Sequence, residues 1–299
     1  MSQATSPVTN PTSQASQHLK PLDLSYEVMG QGPVLLLLHG FPQTRAIWRA
    51  VAEQLKDRYT LVMPDLRGYG ASPKPQSDPE HQTYSKRAMA NDMAALMDKL
   101  GFEQFGVVGH DRGGRVAHRL AADFSGRVTR LMVLDISPTL TMYRQTDMTF
   151  AAGYWHWFFL IQQSPLPETL IGAQPEFFMN EFMVKRYPGR HLFAPEAWEQ
   201  YLACVKDPAC LHAMCEDYRA SATIDLVHDQ EDRDAPRQLQ MPMRVLWGQH
   251  GMIQKCFSPL KDWSEVATEV SGRPLDAGHY LPEECPQAVA QEVREFFAV

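Results

Sequence analysis

Residues 109–115 read Gly-His-Asp-Arg-Gly-Gly-Arg, directly after the apolar run Phe105-Gly106-Val107-Val108. Asp111 therefore stands at a nucleophile elbow, a tight strand-to-helix turn that presents one side chain at the foot of a pocket beside backbone N–H donors. Most such elbows carry serine. A carboxylate there cannot perform serine-type acyl transfer, but it can attack an electrophilic carbon, form an ester and be hydrolysed free. Arg112 and Arg115 follow at spacing three, which places both on one face as the helix opens. A nucleophilic carboxylate beside two guanidinium groups points to a substrate that is itself an anion.

Releasing such an ester requires a base that activates water, and histidine is suited to that near neutral pH. His279 lies in Asp-Ala-Gly-His-Tyr-Leu-Pro-Glu-Glu at 276–284, a loop before the final helix. In chains built on such an elbow, the base histidine comes last. The acid that orients it has two candidate positions. The strand ending Leu246-Trp247-Gly248 continues as Gln-His-Gly-Met-Ile, with no carboxylate. The preceding strand ends Leu131-Met132-Val133-Leu134-Asp135, where an ionisable group is costly unless paired. Asp135 is thus assigned to His279, the alternative being a cap on the following turn. His39-Gly40-Phe41-Pro42 follows the first long strand. The backbone N–H groups of Phe41 and Arg112 are expected to form an oxyanion hole for the tetrahedral intermediate.

The elements that must hold these residues form a repeating pattern. Short continuous apolar runs at 34–38, 60–63, 105–108, 131–134 and 243–247 predict strands buried on both faces of a parallel sheet. Helical spacing at 86–100, 114–122 and 286–298 separates or follows them. Strand–helix alternation implies a doubly wound α/β sheet. Between 139 and 225 the pattern breaks into an aromatic-rich helical stretch without a strand, opening at Tyr-Trp-His-Trp-Phe-Phe-Leu, 154–160. An insertion of that size reads as a helical cap subdomain over the strand ends, where ligands bind in such sheets. The core is then 21–138 and 226–299, and polar residues 1–20 read as a disordered tail without a secretory signal.

The 299 residues carry 35 acidic and 28 basic side chains, a net charge of −7 that gives no reason to expect nucleic acid as partner. No apolar run reaches the roughly 18–20 residues needed to cross a bilayer. The five cysteines lack a CxxC pair, which favours reduced thiols in a cytoplasmic protein over a metal site.

Taken together, these motifs carry a specific resemblance. The chain resembles the fluoroacetate (haloacetate) dehalogenases, a branch of the α/β-hydrolase superfamily. The shared stretches are HGFPQT at 39–44, GHDRGGR at 109–115, VLDISPT at 133–139, YWHWFFL at 154–160, PLPE at 165–168, CEDYRA at 215–220 and GHYLPEE at 278–284. They fall on core and cap alike. The resemblance implies Asp111 as nucleophile, His279 as base and Asp135 as its orienting acid. It implies that Arg112 and Arg115 bind the substrate carboxylate, and that His156, Trp157 and Tyr218 hold the departing halide. The alternative for these three is aromatic cap packing with a satisfied histidine. The resemblance also implies hydrolytic dehalogenation of haloacetates without metal or organic cofactor, by a homodimer. An epoxide hydrolase shares the Asp–His–Asp chemistry and would draw its acid from Tyr154, Tyr201 and Tyr218. A non-catalytic carboxylate-binding homologue is the remaining reading.

Overall fold

A buried parallel strand needs apolar side chains on both faces, and the five runs that meet this condition all lie in one sheet. The protein is described by a computed structural model covering residues 20–185, 189–235 and 237–298. The polar tail expected over 1–20 lies, except for Lys20, outside the described residues.

The sheet has seven strands in the order β1-β3-β2-β4-β5-β6-β7. These are β1 Tyr26–Met29, β2 Val34–Leu38, β3 Thr60–Pro64, β4 Phe105–His110, β5 Val128–Leu134, β6 Met243–Gly248 and β7 Val270–Leu275. All pairings are parallel except β1 with β3. Side chains alternate across the strands and so build two cores. Leu36, Leu38, Val107 and Val133 pack on one face with Met89 and Met93 of α2 (Lys86–Lys99) and Val116 and Leu120 of α3 (Arg112–Asp123). Leu35, Leu37, Val108 and Leu134 pack on the other with Val51 and Leu55 of α1 (Arg49–Leu55) and Val289 and Val293 near the C-terminus.

The sequence reading gives the five central strands and misses β1 and β7. Both lie at the sheet edges, where one ladder and a partly exposed face remove the need for a continuous apolar run. β7 also holds Gly272 at φ +158° and Pro274, residues tolerated at an edge and costly in a central strand.

Between β5 and β6 the described residues form helices and no strand. They are α4 Thr139–Arg144, α5 Met148–Gly153, α6 Trp155–Leu160, α7 Leu166–Ala173, α8 Pro175–Met179, α9 Pro195–Lys206, α10 Pro208–Ser221 and α11 Ile224–Asp234, with a π-helical turn at Asn180–Val184. Trp157, Met179, Tyr201 and Tyr218 from this segment join the same buried cluster as β2, β4 and β5. Four helices complete the chain after β6: α12 Met252–Cys256, α13 Pro259–Ser264, α14 Leu281–Glu284 and α15 Pro286–Phe297.

Candidate active site

Asp111 sits between β4 and α3 with φ +47° and ψ −114°, a conformation non-glycine residues seldom adopt and one typical of strained functional turns. Two neighbours make the turn possible. A Cβ on Gly40 would lie 2.6 Å from the Asp111 Cβ, and one on Gly113 would lie 2.4 Å from the His39 carbonyl oxygen. Only glycine lets these backbones approach so closely. The Asp111 carboxylate is buried, and its Oδ2 accepts the Phe41 N–H at 3.0 Å. Arg112 opens α3, where the first N–H groups have no intrahelical acceptor. Burial pushes the Asp111 pKa up, but His279, Arg112 and Arg115 outweigh it and hold the carboxyl below its ordinary value.

The structure brings His279 and Asp135 together. The His279 Nδ1–H donates to Asp135 Oδ2 at 2.6 Å, and Asp135 Oδ1 accepts the Gly248 N–H at 2.9 Å. Asp135 is fully buried, with φ +53°. Burial raises its pKa, while the bond to His279 opposes the rise. His110, which precedes the nucleophile, donates from Nε2 to the His279 carbonyl at 2.8 Å. Burial, then the neighbouring His279, lowers the His110 pKa to about 3, so this ring stays neutral.

Arg112 and Arg115 share the face that their spacing predicts, but neither offers an open fork. Arg112 donates from Nε to Asp217 Oδ2 at 3.1 Å, and from Nη2 to Asp217 Oδ1 at 2.6 Å and to the Asp217 carbonyl at 2.8 Å. Its Nη2 also meets Ser221 Oγ, which leaves Nη1 buried without an acceptor among the described residues. Arg115 donates from Nη1 to the Ser137 carbonyl at 3.2 Å and to Thr139 Oγ1 at 2.9 Å, and from Nη2 to Met142 Sδ. Among the described residues its Nε is buried without an acceptor, and no carboxylate is hydrogen-bonded to the guanidinium. Among the described residues each arginine thus keeps one buried nitrogen without an acceptor, Arg112 Nη1 and Arg115 Nε. Burial, reinforced by Arg112, lowers the Arg115 pKa.

His156, Trp157 and Tyr218 are buried beside these groups. The Arg112 Cζ lies 4.1 Å from the Tyr218 ring centroid, and the Arg115 Cζ 4.7 Å from the Trp157 ring. Trp157 Nε1 and Tyr218 Oη are buried without acceptors among the described residues. His156 packs on Phe41 at 6.4 Å and Tyr218 at 5.9 Å between ring centroids. Burial and the Asp111 charge raise the Tyr218 pKa well above 10, so the phenol remains a donor. Of the other tyrosines, Tyr154 stands 6.3 Å from His279 between centroids, while the Tyr201 hydroxyl donates to Glu283 Oε1 at 3.0 Å.

Asp217 is the residue the sequence reading passed over. It accepts from Arg112, from the Tyr69 hydroxyl at 2.7 Å and from Lys86, which also reaches Asp225 at 3.4 Å. Burial raises its pKa, but Arg112 and Lys86 outweigh this and hold it well below the ordinary carboxylate range. The available signal was a carboxylate beside Tyr218 on a helix whose positions on the same face, Ala213, Met214 and Ala220, are apolar. The five cysteines are free thiols, and among the described residues no cluster of His, Cys, Asp and Glu could hold a metal ion.

Comparison with known proteins agrees with this architecture. The family model of the α/β hydrolase fold matches residues 33–259. A fluoroacetate dehalogenase from Burkholderia sp. is 44% identical over 91% of the chain and 89% of its own length. A soluble epoxide hydrolase from Corynebacterium sp. (strain C12) is 32% identical, covering 92% and 93%. The solved structure of an α/β hydrolase from Nostoc sp. PCC 7120 superposes with a TM-score of 0.89 at 48% identity, covering 94% of this chain and 96% of that one.

Proposed function

The chain belongs to the α/β-hydrolase family, and on that premise we propose that it hydrolyses haloacetates to glycolate and halide. The observation that carries this reading is a set of four buried donors around a buried carboxylate. Arg112 Nη1, Arg115 Nε, Trp157 Nε1 and Tyr218 Oη have no acceptor among the described residues. Leaving one buried donor unsatisfied costs about 1–3 kcal/mol, so a cluster of four marks a place for anions. The 44% identity to a fluoroacetate dehalogenase points the same way.

In this mechanism the substrate carboxylate is held by Arg112 and Arg115. Asp111 attacks the halogen-bearing carbon through Oδ1, the oxygen not held by Phe41. The carbon–halogen bond breaks as the carbon–oxygen bond forms, and the halide leaves toward His156, Trp157 and Tyr218. Charge-assisted hydrogen bonds of about 1.5–3 kcal/mol each are the help that a poor leaving group such as fluoride needs. His279 then takes a proton from water, and the hydroxide attacks Asp111 Cγ. The oxyanion forms on Oδ2, where the Phe41 and Arg112 N–H groups stabilise it. Collapse expels glycolate, which takes the proton from His279. The Asp111 carboxyl gives up the second proton of the water through the freed His279 to solvent, returning as the carboxylate. Asp135 keeps the histidine in the required tautomer and stabilises its cation.

Epoxide hydrolysis shares these steps and has a relative at 32% identity. Two observations favour the haloacid. The buried cation of Arg115, unpaired with any bonded carboxylate, suits an anion better than a neutral ring, and Tyr201 is already bonded to Glu283. We further assign residues 139–225 as the cap over the site. The resemblance supports a homodimer, and the five free thiols support a cytoplasmic location.

A single turnover with chloroacetate in heavy-oxygen water tests the covalent route. The label is expected on Asp111, with unlabelled glycolate released first. Label in the glycolate of that first turnover would mean direct attack by water and would overturn the mechanism.

A further inference from the structure

In the reading above, His279 must place its Nε2 on a water aimed at Asp111, so its backbone needs as firm a hold as its ring. Glu284, five residues on in α14, supplies it. Its Oε1 accepts the Tyr280 N–H at 2.7 Å and its Oε2 accepts the Gly278 N–H at 2.5 Å. These two amides bracket His279. The His279 carbonyl between them is held by His110, and the ring Nδ1 by Asp135.

An ordinary capping carboxylate would stop at the Tyr280 amide. In a capping box the glutamate reaches back to the N–H of the residue just before the helix. Glu284 goes further, spanning the catalytic residue to take the amide on its other side. α14 itself has four residues, and the Glu283 and Glu284 N–H groups both close on the Tyr280 carbonyl at 2.8 Å. The turn is therefore closed by its own backbone, and the second bond of Glu284 adds nothing to it.

We propose that Glu284 is a positioning residue for His279, acting on ester hydrolysis and not on the formation of the ester. The inference rests on the covalent mechanism proposed above. The two half-reactions separate its effects. Attack of Asp111 on the haloacetate needs Asp111, the arginines and the halide donors, none of which Glu284 touches. Attack of water on the ester needs the His279 imidazole within hydrogen-bond reach of that water. A displacement of about 1 Å at such a group can cost roughly a hundredfold in rate.

The test is rapid mixing of the whole enzyme with excess chloroacetate, followed by quenching for chloride and for intact mass. Glu284→Gln keeps one acceptor oxygen, so it can hold one amide and not both. It is expected to release a first equivalent of chloride within about twofold of the wild-type rate, and then to turn over roughly ten- to hundredfold more slowly. The ester on Asp111 accumulates meanwhile. Glu284→Asp, which keeps the charge and shortens the reach, shows the same split to a smaller degree. His279→Ala is the control and accumulates the ester outright. No ester in that control would refute the covalent mechanism itself. Ester in the control but not in Glu284→Gln would overturn only the role of Glu284. Equal slowing of both steps in both Glu284 variants, or loss of both with loss of fold, would make the residue structural and also overturn the proposal.

Discussion

At the scale of single residues, the two arginines differ in a way their shared spacing conceals. Arg112 is paired with Asp217, whereas the acceptors bonded to Arg115 among the described residues are neutral. Removing one partner of a buried ion pair costs about 3–5 kcal/mol, so Arg112→Met should lower Tm markedly. Arg115→Met removes a cation that burial disfavours, and its Tm should be at or above that of wild type. Its KM for chloroacetate should nevertheless rise roughly ten- to hundredfold, from loss of a charge-assisted bond worth about 1.5–3 kcal/mol. Thermal melts and steady-state kinetics on both variants check this, and equal losses of stability would refute the asymmetry. Trp157→Phe removes one donor, Nε1. Fluoride release should fall more than bromide release, because fluoride depends more on hydrogen bonding as it leaves. Equal falls would assign Trp157 to packing and not to the proposed halide site. Residue types and motif spacing were enough to propose Asp111, Asp135 and His279 as one set, and the fold bonds the last two to each other. What each donor does was not legible, because Asp217 is 105 residues from Arg112 in sequence and only folding reveals that it occupies the fork.

At the scale of elements, the elbow depends on close backbone approach. Gly113→Ala would drive a methyl group into the His39 carbonyl at the end of β2. Overpacking of this kind costs about 1–3 kcal/mol, and a larger loss of activity should accompany it because the Phe41 N–H follows directly on that strand end. Denaturant unfolding and halide release measured together would expose a variant that keeps both. The loop after His279 carries a pH dependence through Glu283. Its carboxyl accepts from Gln43 at 2.5 Å and Tyr201 at 3.0 Å. Burial raises its pKa from the ordinary 4.5 to about 8. Between these values the folded state keeps a proton that the unfolded state has released. The stability that this group supplies is therefore complete below about 4.5 and is lost as pH rises through about 8. The Tm of Glu283→Gln should fall less than that of wild type over this window, and parallel curves would contradict the assignment. Continuous apolar runs made the central strands legible. β1 and β7 were not, since an edge strand such as Tyr-Glu-Val-Met meets weaker demands on its side chains.

At the scale of the molecule, core and inserted helices are joined by charge as well as by apolar packing. Arg112 and Lys86 of the sheet-covering helices meet Asp217 and Asp225 of α10 and α11. The four charges sum to zero and are all buried, and Trp157 and Tyr218 share one apolar cluster with the strands. Calorimetry should therefore record one cooperative transition for the whole chain, with calorimetric and van't Hoff enthalpies equal. Asp217→Asn should lower Tm, and a separate early transition for residues 139–225 would show that the helices unfold on their own. The neutrality of this quartet leaves the charges of Arg115 and Asp111, which act on one another, to meet the haloacetate that we propose as substrate. The most direct test of that claim is halide release from fluoroacetate and chloroacetate side by side, with Asp111→Asn as control. Fluoride and chloride released by the wild type and neither by the variant is the predicted result. Release of neither ion by the wild type, or turnover that survives Asp111→Asn, would contradict it.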